Sequence, residues 1–256
     1  MKLKNQFVGL YSREILRTFR NPLVLGLTLV QPFMWLLFFG SAWSHVADTD
    51  TAVFGTANYI AFLLPGVLST SMLSVGMFGA MSTIQDKRFG YMKRILLTPT
   101  RKATIYLAKA LGSASRGIVQ IPVMVAAALV FGVRFNGDPI MWAAWILGLV
   151  LLGFGFSCVF LAVTASSTDW QTPGVISNFI TMPLMFASNA LFPAANFPSW
   201  MQVIAAWNPV SYSALFGRAI VVQGIAHWNY LGYIAIFAAL MAGIGTLVAA
   251  KYLKSE

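Results

Sequence analysis

The chain has 256 residues, of which 58% are hydrophobic and only 9% charged, with a mean hydropathy of +0.74; that balance excludes an ordinary soluble domain. The formal net charge of +10 does not point to nucleic acid, because fourteen of the 17 Lys and Arg residues fall in residues 1–20, in Gln85–Lys109, and at Lys251 and Lys254. Basic blocks of that kind are retained beside the cytoplasmic leaflet of a membrane.

No Asp, Glu, Lys or Arg occurs in Asn21–Ala47, Thr51–Gln85, Gly117–Val133, Pro139–Thr168, Trp170–Gly217 or Ala219–Ala250. A helix needs about 20 apolar residues to cross the hydrocarbon, so most of these runs can cross. The expected fold is an all-α polytopic membrane protein, since a β-barrel would show short alternating segments. The charge blocks place both termini in the cytoplasm, in the inner (cytoplasmic) membrane, with an even number of spans. Lys2 and Lys4 precede a charged amphipathic stretch, so no cleavable signal peptide is expected.

Residues 5–20 read as an interfacial amphipathic helix, with Arg13, Arg17 and Arg20 toward headgroups and Val8, Tyr11, Ile15 and Phe19 on another face; a partner-binding helix is the alternative. Asn21-Pro22 opens a first span over 22–44, and an external loop carries Asp48 and Asp50. The second span is expected over 59–84, where Gly66, Thr70 and Ser74 recur every four residues. That spacing suits close helix packing, with a pathway lining as the other reading.

The basic segment 85–109 reads QDKRFGYMKRILLTPTRKATIYLAK and holds one acid, Asp86. Phe89, Met92 and Leu96 fall at i, i+3 and i+7 as one apolar stripe, and Thr98-Pro99 ends the helix. A retained basic loop that binds headgroups is the alternative. A third span is expected over 110–133, with Arg116 a turn inside and able to snorkel. The fourth follows over 140–164, with Trp142 and Trp145 as interface anchors, and holds the single cysteine, Cys158, read as a small buried hydrophobe.

Trp170–Gly217 is 48 uncharged residues interrupted by Pro173, Pro183, Pro193, Pro198 and Pro209. Two crossings here would put Arg218 inside and strand Lys251 and Lys254 outside. One span over 173–192, then an external hairpin over 193–218 that re-enters shallowly, avoids this. A sixth span over 228–252 completes the chain.

No catalytic or metal-binding set is expected. His45 and His227 lie in external loops without HxxxH or HExxH spacing, and the seven carboxylates are scattered. That disfavours a membrane-embedded enzyme. An ion-coupled transporter usually keeps ionisable groups at mid-membrane, and none is expected there. The chain has no Gly-x4-Gly-Lys-Ser/Thr loop and no Gly-Lys dipeptide, so no cofactor is expected in it.

Two stretches carry a family resemblance. Phe192-Pro193, Pro198-Ser199-Trp200, Asn208-Pro209-Val210-Ser211-Tyr212 and Arg218 are similar to the "FP…P-x-W…NP-x-[ST]-Y…R" pattern of the permease subunits of ABC-2-type exporters. Gly90 through Leu96 to Thr98-Pro99 is similar to that family's "G-T-x-E-x-L-x-x-T-P", although members commonly carry Glu where this chain has Lys93-Arg94 and Asp86-Lys87-Arg88 nearby. The likeness covers nearly the whole chain and implies a single ABC-2-type transmembrane domain over 1–256.

The resemblance further implies a cytoplasmic coupling helix within 85–109 that docks on a nucleotide-binding subunit through Asp86, Lys87, Arg88, Phe89, Gly90, Met92, Lys93 and Leu96. It implies a re-entrant hairpin with Pro193, Pro198, Trp200, Asn208, Pro209, Tyr212 and Arg218, and a cavity along the second and fifth spans. Gly66, Thr70, Ser74, Asn178, Met182, Met185 and Asn189 would line that pathway or a dimer seam, the last four at i, i+4, i+7 and i+11. ATP and Mg would belong to a separate ATPase subunit in two copies, beside a second permease in a homodimer. The substrate would be amphipathic: a drug, a lipid or a glycan-lipid.

Overall fold

A backbone surrounded by apolar groups must satisfy its N–H and C=O groups internally, and the uncharged runs accordingly fold as helices. The computed structural model describes residues 3–252 apart from 50–53, 55, 57, 99, 166, 168 and 170. In chain order the helices are α1 (Leu3–Phe19), α2 (Pro22–Thr49), α3 (Tyr59–Arg88), α4 (Tyr91–Leu96), α5 (Lys102–Val130), α6 (Pro139–Val163), α7 (Thr172–Phe186), α8 (Ser199–Trp207), α9 (Pro209–Arg218) and α10 (Trp228–Tyr252). A 3-10 turn, Ala194–Asn196, precedes α8, and a π turn, Ala219–Gln223, follows α9. No strand occurs among the described residues.

Among the described residues, five helices are long and apolar enough to cross a membrane: Pro22–Ser44 within α2, then α3, α5, α6 and α10. The expected fifth crossing over 173–192 is not one helix. Its counterpart, α7, has 15 residues, about 22 Å at 1.5 Å per residue and short of the roughly 30 Å hydrocarbon. Pro183 lies within α7, and beyond Phe186 the chain proceeds in turns. The third span also begins earlier than expected, because α5 starts at Lys102 and not near Ala110. Residues 85–88 and 102–109 of the basic segment thus continue two long helices, and the short α4 lies in the connection between them.

Helix α3 is the centre of the bundle. Leu63, Leu64, Leu68, Met72 and Leu73 are fully enclosed among α2, α5, α6 and α9, and α10 packs against α6 and α9. Trp145, expected at the membrane interface, is instead completely buried in this core; its neighbour Trp142 closes the turn before α6, donating Nε1–H to the Asn136 carbonyl at 3.0 Å. The periphery is apolar too: Leu23, Leu27, Val30 and Phe38 on α2 and Ile236, Leu240, Ile244 and Leu247 on α10 point outward. In water such faces would be a liability, whereas hydrocarbon solvates them.

Candidate functional site

Three features of the bundle gather the residues singled out from the sequence. The first is a cleft of ≈ 490 Å³ between α2, α3 and α7, closed at its back by Gln120 of α5. Thr70, Ser71 and Ser74 face it from α3, Asn178, Thr181, Met182 and Met185 from α7, and Leu27, Gln31 and Trp35 from α2. Five expected pathway residues therefore meet in one place: Thr70, Ser74, Asn178, Met182 and Met185.

Gly66 and Asn189 do not join them. At Gly66 a Cβ would run into the carbonyl of Ala190, so this position is a backbone-to-backbone crossing, and the small-residue repeat of α3 is packing at one end and cleft lining at the other. Asn189 lies beyond the end of α7, where the i+11 periodicity no longer applies. Its Oδ1 accepts from Ala194 N–H at 2.8 Å, and it lines a separate cavity with Pro193, Arg218 and His227.

Among the described residues, no charged one lines the cleft. Its walls are Val, Leu, Met, Trp and Phe, interrupted by hydroxyl and amide groups, and the Gln120 Oε1 and Thr181 Oγ1 atoms are buried without a hydrogen-bond partner. Buried polar atoms of that kind are uncommon in folded proteins. Adaptable thioethers beside an unpaired amide and an unpaired hydroxyl suit a ligand with both apolar and polar parts.

The second feature is the face formed by α1, α4 and the adjacent ends of α3 and α5. Gly90, at φ 69°, occupies a left-handed conformation that favours glycine, and it breaks the helix between α3 and α4. Phe89 and Met92 consequently share no helical register, and the expected single stripe is divided. Met92 and Ile95 are buried, Met92 in a small core with Tyr106, Ala110, Cys158, Leu161 and Ala249, and Leu96 packs against that core. Phe89 is 81% exposed and Leu97 83%. Arg88, Lys93 and Arg94 are exposed as well, and Gly90 half so. The helix ends where Thr98 Oγ1 donates to the Ile95 carbonyl at 2.5 Å; Pro99 lies outside the described residues.

Asp86 and Lys87, expected at a docking surface, are turned inward. Asp86 accepts from Arg13 at 2.7 and 3.1 Å and from Lys109 Nζ at 2.5 Å. Lys87 Nζ donates to the carbonyls of Ala165 and Ser167, tying α3 to the loop after α6. Glu14, which the sequence reading passed over, completes the cluster: it accepts from Ser82 Oγ at 2.9 Å and pairs with Lys109 at 3.3 Å. A carboxylate bounded by five cations in residues 1–20 was the available signal, but its partners lie 68 and 95 residues away.

Helix α1 is therefore seated on protein through the face expected to meet headgroups. Arg13 also lies 4.0 Å above the Tyr91 ring of α4, and Arg17 donates to Ser82 Oγ at 3.1 Å. Tyr11 and Ser115 share a hydrogen bond at 2.9 Å, and Gly112 leaves just the space that the Glu14 stem fills. Burial opposes the Arg13 charge, yet its bond to Asp86 together with the nearby Asp86 and Glu14 charges outweighs that and holds the guanidinium above its ordinary pKa. Val8 and Phe19 remain exposed.

The third feature is the proline-rich hairpin. Pro198 precedes α8, Pro209 opens α9, and Asn208 is buried between them. Asn208 Oδ1 caps α9 by accepting from Val210 N–H at 3.0 Å, while its Nδ2 donates to the Leu184 and Ala187 carbonyls at 2.7 and 2.9 Å. One amide thus satisfies the end of α7 and the start of α9. Tyr212 donates to the Ala206 carbonyl at 2.5 Å. Helix α9 is buried against α3, with Ser69 and Ser213 bonded at 2.8 Å, whereas α8 presents Trp200, Val203, Ile204 and Trp207 outward. Arg218, 8% exposed, donates to the Phe62 and Ala190 carbonyls at 2.9 and 2.6 Å and lies 3.5 Å above the Phe62 ring. It locks the hairpin to α3.

Among the described residues no group of three or more His, Cys, Asp or Glu is placed to hold a metal ion. The family model described as "ABC-2 type transporter" matches residues 5–222. A putative transport permease, ycf38, of Pyropia yezoensis is 28% identical over 218 residues, covering 82% of this chain and 72% of its own. The daunorubicin resistance ABC transporter permease protein DrrB1 of Streptomyces coeruleorubidus is 26% identical, over 77% of this chain and 67% of its own. A probable doxorubicin resistance ABC transporter permease protein, DrrC, of Mycobacterium tuberculosis is 24% identical, over 83% and 75%.

Proposed function

This chain belongs to the ABC-2 type transporter family and is the membrane subunit of an ABC transporter; from that premise we propose that it is the permease of an ATP-driven exporter of amphipathic molecules. The observation that carries the reading is the uncharged cleft between α2, α3 and α7, where thioethers, hydroxyls and amides converge. Both α2 and α7 are largely exposed along their outer faces, which suits a second copy of the chain closing the cleft from the other side.

Energy comes from a separate ATPase, two copies per pair of permeases, with ATP and Mg bound there. Its docking point is the α4 tip, where Arg88, Phe89 and Lys93 project while Met92 and Ile95 anchor the helix to the bundle. A push on that tip is transmitted to α3 through the Gly90 turn and to α1 through Arg13 and Tyr91. In this reading the face and both termini lie in the cytoplasm and the α8–α9 hairpin on the external side of the inner membrane, as the retention of basic blocks beside the cytoplasmic leaflet supports. Purification of the tagged chain from cells with and without the ATPase tests the reading. Recovery of a permease–ATPase complex whose ATP turnover responds to amphiphiles supports it. Transport that persists without the ATPase and follows an ion gradient refutes it.

A further inference from the structure

The cleft does not end at its uncharged walls. Toward α1 it continues into a recess of ≈ 350 Å³, which shares Val24, Thr28, Val75, Phe78 and Gln120 with it and adds Arg17 and Arg116. The two volumes form one groove with an apolar length and a cationic end.

The charges at that end do not cancel. Arg13, Arg17, Lys109 and Arg116 face two carboxylates, Glu14 and Asp86. Lys109 and Arg13 engage both carboxylates directly, leaving Arg17 one bond to Ser82 and a 3.6 Å approach to Asp86. The Arg116 side chain makes no hydrogen bond to the described residues. Its Nε is buried and unpartnered, and its guanidinium lies 5.3 Å from the centre of the Phe78 ring. Beside it the Gln120 amide, itself buried, has an unpartnered Oε1.

A half-buried guanidinium whose Nε–H is enclosed without a partner is costly unless something anionic meets it, and its planar fork matches a phosphate or carboxylate. We propose that the groove selects amphiphiles with an anionic headgroup, the head bound by Arg116 and Arg17 and the apolar tail laid along the cleft past Trp35. The inference rests on the cleft as the substrate route and adds the charge of the substrate. A cationic head would meet two excess positive charges, and a neutral one would leave Arg116 unpaired.

Trp35 lines the cleft and reports on the tail. The experiment uses the full chain in neutral detergent with two lysophospholipids carrying the same brominated acyl chain, lysophosphatidic acid and lysophosphatidylcholine. Quenching is assigned by difference from Trp35→Phe. The anionic lipid is expected to bind about tenfold more tightly, the scale of a charged hydrogen bond, and Arg116→Gln to abolish that preference without lowering the melting temperature. Arg116→Lys is expected to keep part of it.

Equal binding of the two lipids overturns the inference while leaving the cleft as a substrate site. An unchanged preference in Arg116→Gln overturns it as well. Displacement of the brominated lipid by inorganic phosphate at matching concentration assigns the recess to free anions and rejects the amphiphile. If neither lipid quenches Trp35, the cleft reading falls together with the inference.

Discussion

Lys109 Nζ stands 2.5 Å from an Asp86 carboxylate oxygen, with the two side chains 3% and 4% exposed. The pair joins the end of α3 to the start of α5, on either side of the α4 tip, and Arg13 binds the same carboxylate from α1. Three helices therefore meet at one acid. Removing Lys109 leaves two buried carboxylates with one cation fewer, and neutralising Asp86 leaves Lys109 to Glu14 alone; breaking a buried charge network of this kind costs up to about 3–5 kcal/mol. Lys109→Met and Asp86→Asn are each expected to lower the melting temperature of the purified protein and to open α1 to proteolysis. Arg20→Ala, at an exposed position, is expected to do neither.

In the proposed function, the α4 tip separates anchoring from docking by residue. Phe89→Ser and Lys93→Glu change exposed groups and are expected to shift stability by no more than about 0.5 kcal/mol while reducing recovery of the ATPase with the permease. Met92→Ser removes a buried side chain and is expected to cost about 2–4 kcal/mol. Melting curves and co-purification of the same three variants check both halves.

At Gly66 the α3 backbone meets the Ala190 carbonyl with no room for a methyl group. Gly66→Ala is expected to cost about 1–3 kcal/mol by overpacking. Gly26→Ala on α2, where an added Cβ meets nothing within 4 Å, is expected to be neutral or slightly stabilising. The contrast in melting temperature between these two identical substitutions is the measurement.

Asn208 supplies three hydrogen bonds to two helix ends. Asn208→Ala leaves carbonyls of α7 without a donor, at about 1–3 kcal/mol for a buried unsatisfied group. Faster amide exchange or cleavage over 184–212, with the rest of the bundle unchanged, is the expected signature.

Much of this was readable from composition and pattern. Charge-free runs announced the long helices because lipid forbids irregular exposed backbone, and prolines spaced through 173–209 announced a broken hairpin. Helical periodicity put Thr70 with Ser74 on one element and Asn178 with Met182 and Met185 on another, and the family resemblance supplied the expectation that the two sets share a cavity. Periodicity failed where the helix it assumed was interrupted. Gly90 separates Phe89 from Met92, and α7 stops before Asn189. Charge patterning likewise assigned Arg13 and Arg17 to headgroups, because a carboxylate 73 residues away in the chain leaves no local trace. Glu14 escaped notice for the same reason.

In the proposed function, the cleft between α2, α3 and α7 is the route of an ATP-driven exporter. Its most direct test is transport of a fluorescent amphiphile in proteoliposomes holding the permease and its ATPase, comparing the wild type with Ser74→Leu and Asn178→Leu. Transport is expected to need both subunits and ATP, and both cleft-filling variants are expected to slow it severely while the complex still assembles. Undiminished ATP-driven transport in the filled variants, or transport that needs only an ion gradient, would contradict the claim.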